Sequence, residues 1–210
     1  MKAYCNLTIR RLQMEALIAL AAAAALELYG QGTVSFSNAG LNANVIMGIP
    51  FTVGANTYNV GDKAPAGTTF SVALYFAPYD PASPTPPSQS SFMQLGASAN
   101  LLLPGIYFAG VRTAPVSPPG SPAWFEVKAW ETACGSSYEQ VGAGLLAGSD
   151  IIRVQTEDPT TGGSPATLTG IGTIVLNGDP TPCVPEPSTV LLAFLGALVL
   201  VCLSRGKRTW

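Results

Sequence analysis

Thr69-Phe70-Ser71-Val72-Ala73-Leu74-Tyr75-Phe76 decides the fold class. Phe70, Val72, Leu74 and Phe76 recur at every second residue, and a period of two places them on one face of a β-strand. Upstream, Thr33–Ser37 alternates in the same way, and shorter runs at Asn44–Met47, Pro50–Val53 and Thr57–Val60 are punctuated by Gly48, Gly54, Gly61 and Gly67 as turns. Downstream, Gly105–Arg112, Trp124–Glu131, Ile151–Thr156 and Thr167–Asn177 read as further strands. Only Tyr138–Ala147 has room for a helical turn. With 22 glycines and 18 prolines in 210 residues, short strands joined by tight turns are expected rather than long helices. The pattern predicts an all-β body of eight or nine strands, a β-sandwich or jelly-roll-like domain over residues 31–178.

The Trp124–Glu131 run admits two registers. Either Phe125, Val127 and Ala129 face the core, or the register inverts and buries Trp124 and Trp130. In the first case Trp124 and Trp130 are exposed, and their ring faces could stack on a sugar. Glu126 and Glu131 are five residues apart, so on one strand they point to opposite faces and cannot converge as an acid–base pair. The Glu157–Gly163 segment has carboxylates beside a turn and could hold Ca²⁺ through Asp158 and backbone oxygens, with solvated loop charges as the plainer reading. Pro78–Ser91 holds five prolines and is expected to be a long exposed loop, and Pro115–Pro122 a tight proline-rich turn.

Composition excludes several function classes. The chain contains no histidine, which removes Ser-His-Asp and Cys-His catalysis and any zinc site that needs imidazole. No catalytic residue, cofactor site or metal site is assigned, and the chain is read as non-enzymatic. Between Gly32 and Ser188 there are ten acidic residues against four basic ones (Lys63, Arg112, Lys128, Arg153). A body this acidic cannot grip a phosphate backbone, so nucleic acid is not an expected partner.

The remaining six basic residues cluster at the ends. Arg10 and Arg11 precede Leu17–Leu20 and the run Ala21–Ala25, a positive segment followed by an apolar one too short to span a bilayer. Residues 1–30 therefore read as a signal peptide, with Ala23 and Ala25 fitting a small-residue cleavage rule and a cut nearer Gly30 as the alternative. Residues 179–187 form a proline-rich linker that begins the terminal signal. Val184-Pro185-Glu186-Pro187-Ser188 is an extended motif, because each proline drives the residue before it out of helical geometry. Residues 188–210 contain the apolar run Thr189–Leu203, read as a single membrane helix, and a basic stop at Arg205, Lys207 and Arg208. Positive charge after the run keeps the tail cytoplasmic and places the body outside the inner membrane.

Motif, apolar run and basic stop together resemble the sorting signal of the PEP-CTERM family of bacterial exported proteins, over roughly the last 27 residues. The resemblance implies recognition by an exosortase, a membrane-embedded processing enzyme acting near Pro185-Glu186-Pro187. It also implies final placement in a Gram-negative envelope, at the cell surface or in an extracellular matrix, often one that includes exopolysaccharide. Gln31–Asn38, Ala123–Glu131 and Gly135–Glu139 more weakly resemble segments that recur in the bodies of such proteins, and no activity transfers with that likeness. The expected partners are thus the exosortase, the inner membrane and, in a carbohydrate-binding alternative, exopolysaccharide. Outside the two end segments the cysteines are Cys134 and Cys183, which in an oxidising compartment could pair as a disulfide or remain two free thiols.

Overall fold

The computed structural model of the chain describes residues 31–179 together with Cys183. The segments read from sequence as a signal peptide (1–30), a sorting motif (Val184–Ser188), a membrane run and a basic stop (Arg205, Lys207 and Arg208) lie outside the described residues. The described part is all-β. No helix among the described residues is long and apolar enough to cross a membrane, and the helical elements there are single 3₁₀ turns.

Thirteen strands form: β1 (Thr33–Ser37), β2 (Val45–Met47), β3 (Phe51–Val53), β4 (Asn56–Tyr58), β5 (Gly67–Pro78), β6 (Met93–Gln94), β7 (Ala99–Leu103), β8 (Ile106–Thr113), β9 (Pro122–Glu131), β10 (Leu145–Gly148), β11 (Ile152–Gln155), β12 (Ala166–Thr167) and β13 (Ile174–Gly178). Eleven belong to one sheet in the order β12-β1-β8-β7-β5-β9-β10-β13-β2, with β6 added to β5 and β11 to β9, while β3 and β4 make a separate hairpin. The sheet curls until its last strand meets the β7–β8 turn. The Val45 N–H donates to Gly105 O (3.0 Å), and the Gly105 N–H donates to Ala64 O (2.9 Å). Gly105 has φ +71°, and a side chain there would press on the Val45 carbonyl, so this close approach requires glycine. Asn38, fully buried, fastens the same junction. Its amide donates to the carbonyls of Ala43 (2.6 Å) and Gly105 (2.9 Å), and its oxygen accepts from the Tyr107 N–H (2.8 Å).

The curl encloses one large core. Val34 and Phe36 of β1, Val45 and Met47 of β2, Phe70, Val72, Leu74 and Phe76 of β5, and Phe125 and Val127 of β9 belong to a single buried cluster. The alternation in β5 therefore lies on the face expected of it. A second cluster covers the opposite face of β5 and β9, with Ala73, Tyr75, Ala77, Phe92, Trp124 and Trp130 buried together.

Several expectations need correction. The Thr167–Asn177 run is two strands, because Gly170 and Gly172 take positive φ and turn the chain between them. Met93–Gln94, Ala99–Leu103 and Leu145–Gly148 are strands that alternation does not reveal, so together with the divided run the count is thirteen rather than eight or nine. A helical turn does form within Tyr138–Ala147, at Tyr138–Gln140, but Leu145–Ala147 belong to β10, and further 3₁₀ turns stand at Gln89–Ser91, Thr132–Cys134 and Pro159–Thr161. The two registers considered for Trp124–Glu131 are not alternatives, since both faces of β9 are buried.

Candidate functional site

The central ladder organises everything that could act. β5 and β9 are antiparallel over nine register pairs, from Phe70 opposite Glu131 to Pro78 opposite Ala123. At about 3.3 Å per residue this spine is roughly 25 Å long. Distinct arrangements occupy its two ends and its second face.

At the end marked by Pro78 and Pro122, the two proline-rich segments approach each other and leave a groove of about 340 Å³ lined by Pro78, Tyr79, Pro81, Val116, Pro118 and Pro122. Prolines supply fixed, apolar walls and no backbone donor, so the groove is stiff and mostly apolar. The second wall is pinned from behind. The Thr156 N–H and hydroxyl both donate to Ser121 O (3.0 and 2.8 Å), and the Gly32 N–H donates to Ser117 O (3.2 Å). Tyr79, half-buried, packs against Trp124 with ring centroids 6.2 Å apart. The Arg153 guanidinium lies 5.3 Å from the Tyr79 ring centroid, and its Nη1 donates to the Tyr79 hydroxyl (3.4 Å). Val116 has φ +54°, and it is the non-glycine residue with positive φ among the described residues. That conformation costs a β-branched residue on the order of 1–3 kcal/mol. Val116 is nonetheless 75 % exposed at the groove rim.

On the second face, Lys128 is enclosed. Its Nζ lies 4.3 Å from the Tyr75 ring centroid and 4.8 Å from that of Tyr138. It is 3.9 Å from Glu126 Oε2 and 4.0 Å from Glu139 Oε1. Glu126 is 4 % exposed and Lys128 8 %. Burial pushes the Glu126 carboxyl above its ordinary range, against the opposing pull of Lys128 and of Gln89, whose amide donates to Oε1 (3.4 Å). Burial also raises the Tyr75 and Tyr138 hydroxyls. An ammonium between two aromatic faces and two carboxylates is a satisfied cation, and it clamps the Tyr138 turn onto the sheet.

At the opposite end of the spine Cys134 and Cys183 are joined as a disulfide with Cα atoms 5.1 Å apart. Gly144 packs directly against the Cys134 sulfur, leaving no space for a side chain. The Glu131 carboxylate is adjacent and accepts from the Leu145 N–H (3.4 Å), while burial raises its pKa. Both sulfurs are committed to each other and are not open to a ligand.

No family model matches this chain, and no curated protein or solved structure is significantly similar to it.

The sequence-derived candidates fare unevenly. Trp130 is 1 % exposed, donates its indole N–H to Gly135 O (3.0 Å) and lies within the second cluster, and Trp124 is 8 % exposed beneath Tyr79. Neither offers an open ring face, so the sugar platform they could form if exposed is absent, and both are core residues. Their strand is covered by Phe92 and by the segment around Tyr138 and Val141, which alternation within the strand cannot foretell. Asp158 caps a 3₁₀ turn instead of standing free, accepting from both the N–H and the hydroxyl of Thr160 (2.8 and 2.7 Å). Glu126 and Glu131 remain on opposite faces of the strand. The groove residues Tyr79 and Val116, and Arg153 beside Tyr79, were not legible as a set, because they come together from segments far apart in the chain. The one local signal was the density of proline on both sides.

Proposed function

We propose that the chain is an exported protein, sorted by an exosortase-type enzyme to the cell envelope or extracellular matrix. There its body serves a structural or interaction role rather than a catalytic one. We also read the curled all-β body as a β-sandwich of jelly-roll type. Core residues from both ends of the strand order, such as Phe36 and Met47, packing into one cluster support that architecture. The observation that carries the export reading is the Cys134–Cys183 bond. Disulfides persist in oxidising compartments, and this one fixes the chain immediately before Val184-Pro185-Glu186-Pro187. A cargo whose exit point is fastened to the sheet delivers the processing motif from a defined place. The test is mass spectrometry of both mature termini in the native host, with Glu186→Ala beside it. The variant is expected to remain unprocessed in the inner membrane, and ordinary maturation of that variant would defeat the reading.

A second reading, a carbohydrate-binding module for exopolysaccharide, is favoured by the groove at the far end of the spine. Tyr79, backed by Trp124 and flanked by Arg153, combines a ring with a polar donor. Here Tyr79→Ala is the informative change. Loss of glycan retention with an unchanged melting temperature supports this reading, and unchanged retention removes it.

A further inference from the structure

Leu101 and Tyr107 face each other in register across β7 and β8, and both are buried in the core. Alternation turns their neighbours outward: Leu102 is 66 % exposed and Phe108 61 %, with Leu103 and Val111 exposed beside them. From Ala99 to Val111 the sequence carries no charged residue. Arg112, next along β8, folds its guanidinium over the Phe36 ring and onto the carbonyls of Ala97, Ala109 and Val111, so the outer strip of Leu102, Leu103 and Phe108 is apolar on an otherwise acidic body, of the kind that marks an interaction surface.

Its position identifies the occupant. β7 and β9 are both antiparallel to β5, so they run parallel to each other towards the Gly67 end of the spine. Ser71 ties the two strands at matching heights, its hydroxyl pairing with Thr132 Oγ1 (3.0 Å) and Asn100 Oδ1 (3.4 Å). The Leu102-Leu103 end of β7 and the Cys134–Cys183 bond therefore occupy the same end of the molecule. Between Cys183 and the apolar run beginning at Thr189 there are five residues. Fully extended, that tether reaches no more than about 20 Å, less than the spine is long. Lys63, one of the body's four basic residues, packs beside Gly105 in the β7–β8 turn, and the neighbouring Asp62 carboxylate is occupied by the Asn59 N–H (2.7 Å).

We infer that Leu102 and Leu103 at the end of β7, together with Phe108, form a bilayer-contacting surface. The short tether holds this end of the body against the membrane that carries the tail, so that the leucines enter the boundary between headgroups and acyl chains. Lys63 meets anionic headgroups there. The inference rests on the reading of Thr189–Leu203 as a membrane span.

The test uses the full chain reconstituted in vesicles of phosphatidylethanolamine and phosphatidylglycerol. A photoreactive p-benzoylphenylalanine replaces Leu102, Phe108, Val116 or Phe194 one at a time, and lipid adducts are read by mass spectrometry. Adducts are expected at Leu102, Phe108 and Phe194 and absent at Val116, at the other end of the spine. Adducts at Phe194 with none at Leu102 and Phe108 overturn the surface while leaving the tail reading intact. Absence of adducts at Phe194 overturns the tail reading and the inference with it. Adducts at Val116 equal to those at Leu102 also overturn it, because they mean that no end of the body is preferred. In the surviving case, Leu102→Ser with Leu103→Ser is expected to lower the Phe108 adduct several-fold and leave that at Phe194 unchanged.

Discussion

Asn38 makes three hydrogen bonds in a fully buried setting, two of them to residues 67 and 69 positions away. Replacing it by alanine strands the Ala43 carbonyl and the Tyr107 N–H at the junction where the sheet curls back, while Gly105 O keeps only the Val45 N–H. Asn38→Ala is expected to cost about 3 kcal/mol in urea unfolding, whereas Asn100→Ala, on a more exposed stretch, should cost well under 1 kcal/mol. Glu126 makes a different prediction. Its folded pKa is raised above the ordinary value of 4.5. Its contribution to stability is therefore complete below that value and is lost as pH rises through the raised folded value. Glu131 acts in the same direction. The melting temperature should climb as the buffer is taken from neutral towards about pH 5, and Glu126→Gln should flatten that climb. Neither role could be read from the sequence. The partners of Asn38 are distant in the chain, and Glu126 and Lys128 occupy alternating positions that otherwise mark a solvent face.

Strands carry the next scale. β5 was legible because its inward residues are uniformly large and apolar, and its boundaries needed only two more residues at each end. β7 was not, because Leu101-Leu102-Leu103 is a continuous apolar run with one inward and two exposed members, which erases the alternation. The break between β12 and β13 depends on Gly170 and Gly172 adopting positive φ, a choice that the apolar residues around them conceal. Phe76 packs at 5.8 Å from Phe125 across the central ladder, and Phe76→Ala should destabilise the body by about 3–5 kcal/mol. The disulfide closes a separation of 49 residues. In the chain-entropy picture this is worth about 4 kcal/mol. Cys134→Ser, or reduction, should lower the unfolding midpoint accordingly and release Cys183 to thiol reagents.

At the scale of the whole molecule, both buried clusters share β5 and β9, so neither can melt while the other stays packed. Calorimetry of the body should therefore give one transition with matching calorimetric and van't Hoff enthalpies, and two resolved steps would contradict the shared spine. The all-β class follows from short runs and turn residues alone. The curled order of strands does not, because it is fixed by pairings such as Ile174 with Val45, which lie more than a hundred residues apart.

The opposition of groove and disulfide along one ladder has a mechanical consequence. A ligand tugging at Tyr79, just past the end of β5, against an anchor beyond Cys183, which the disulfide ties to the far end of β9, draws β5 and β9 past each other along their length. Cross-strand hydrogen bonds lie perpendicular to such a pull and share the load simultaneously, rather than parting one at a time as in a zipper. Under tension the body would behave as a rigid link that fails in a single abrupt event.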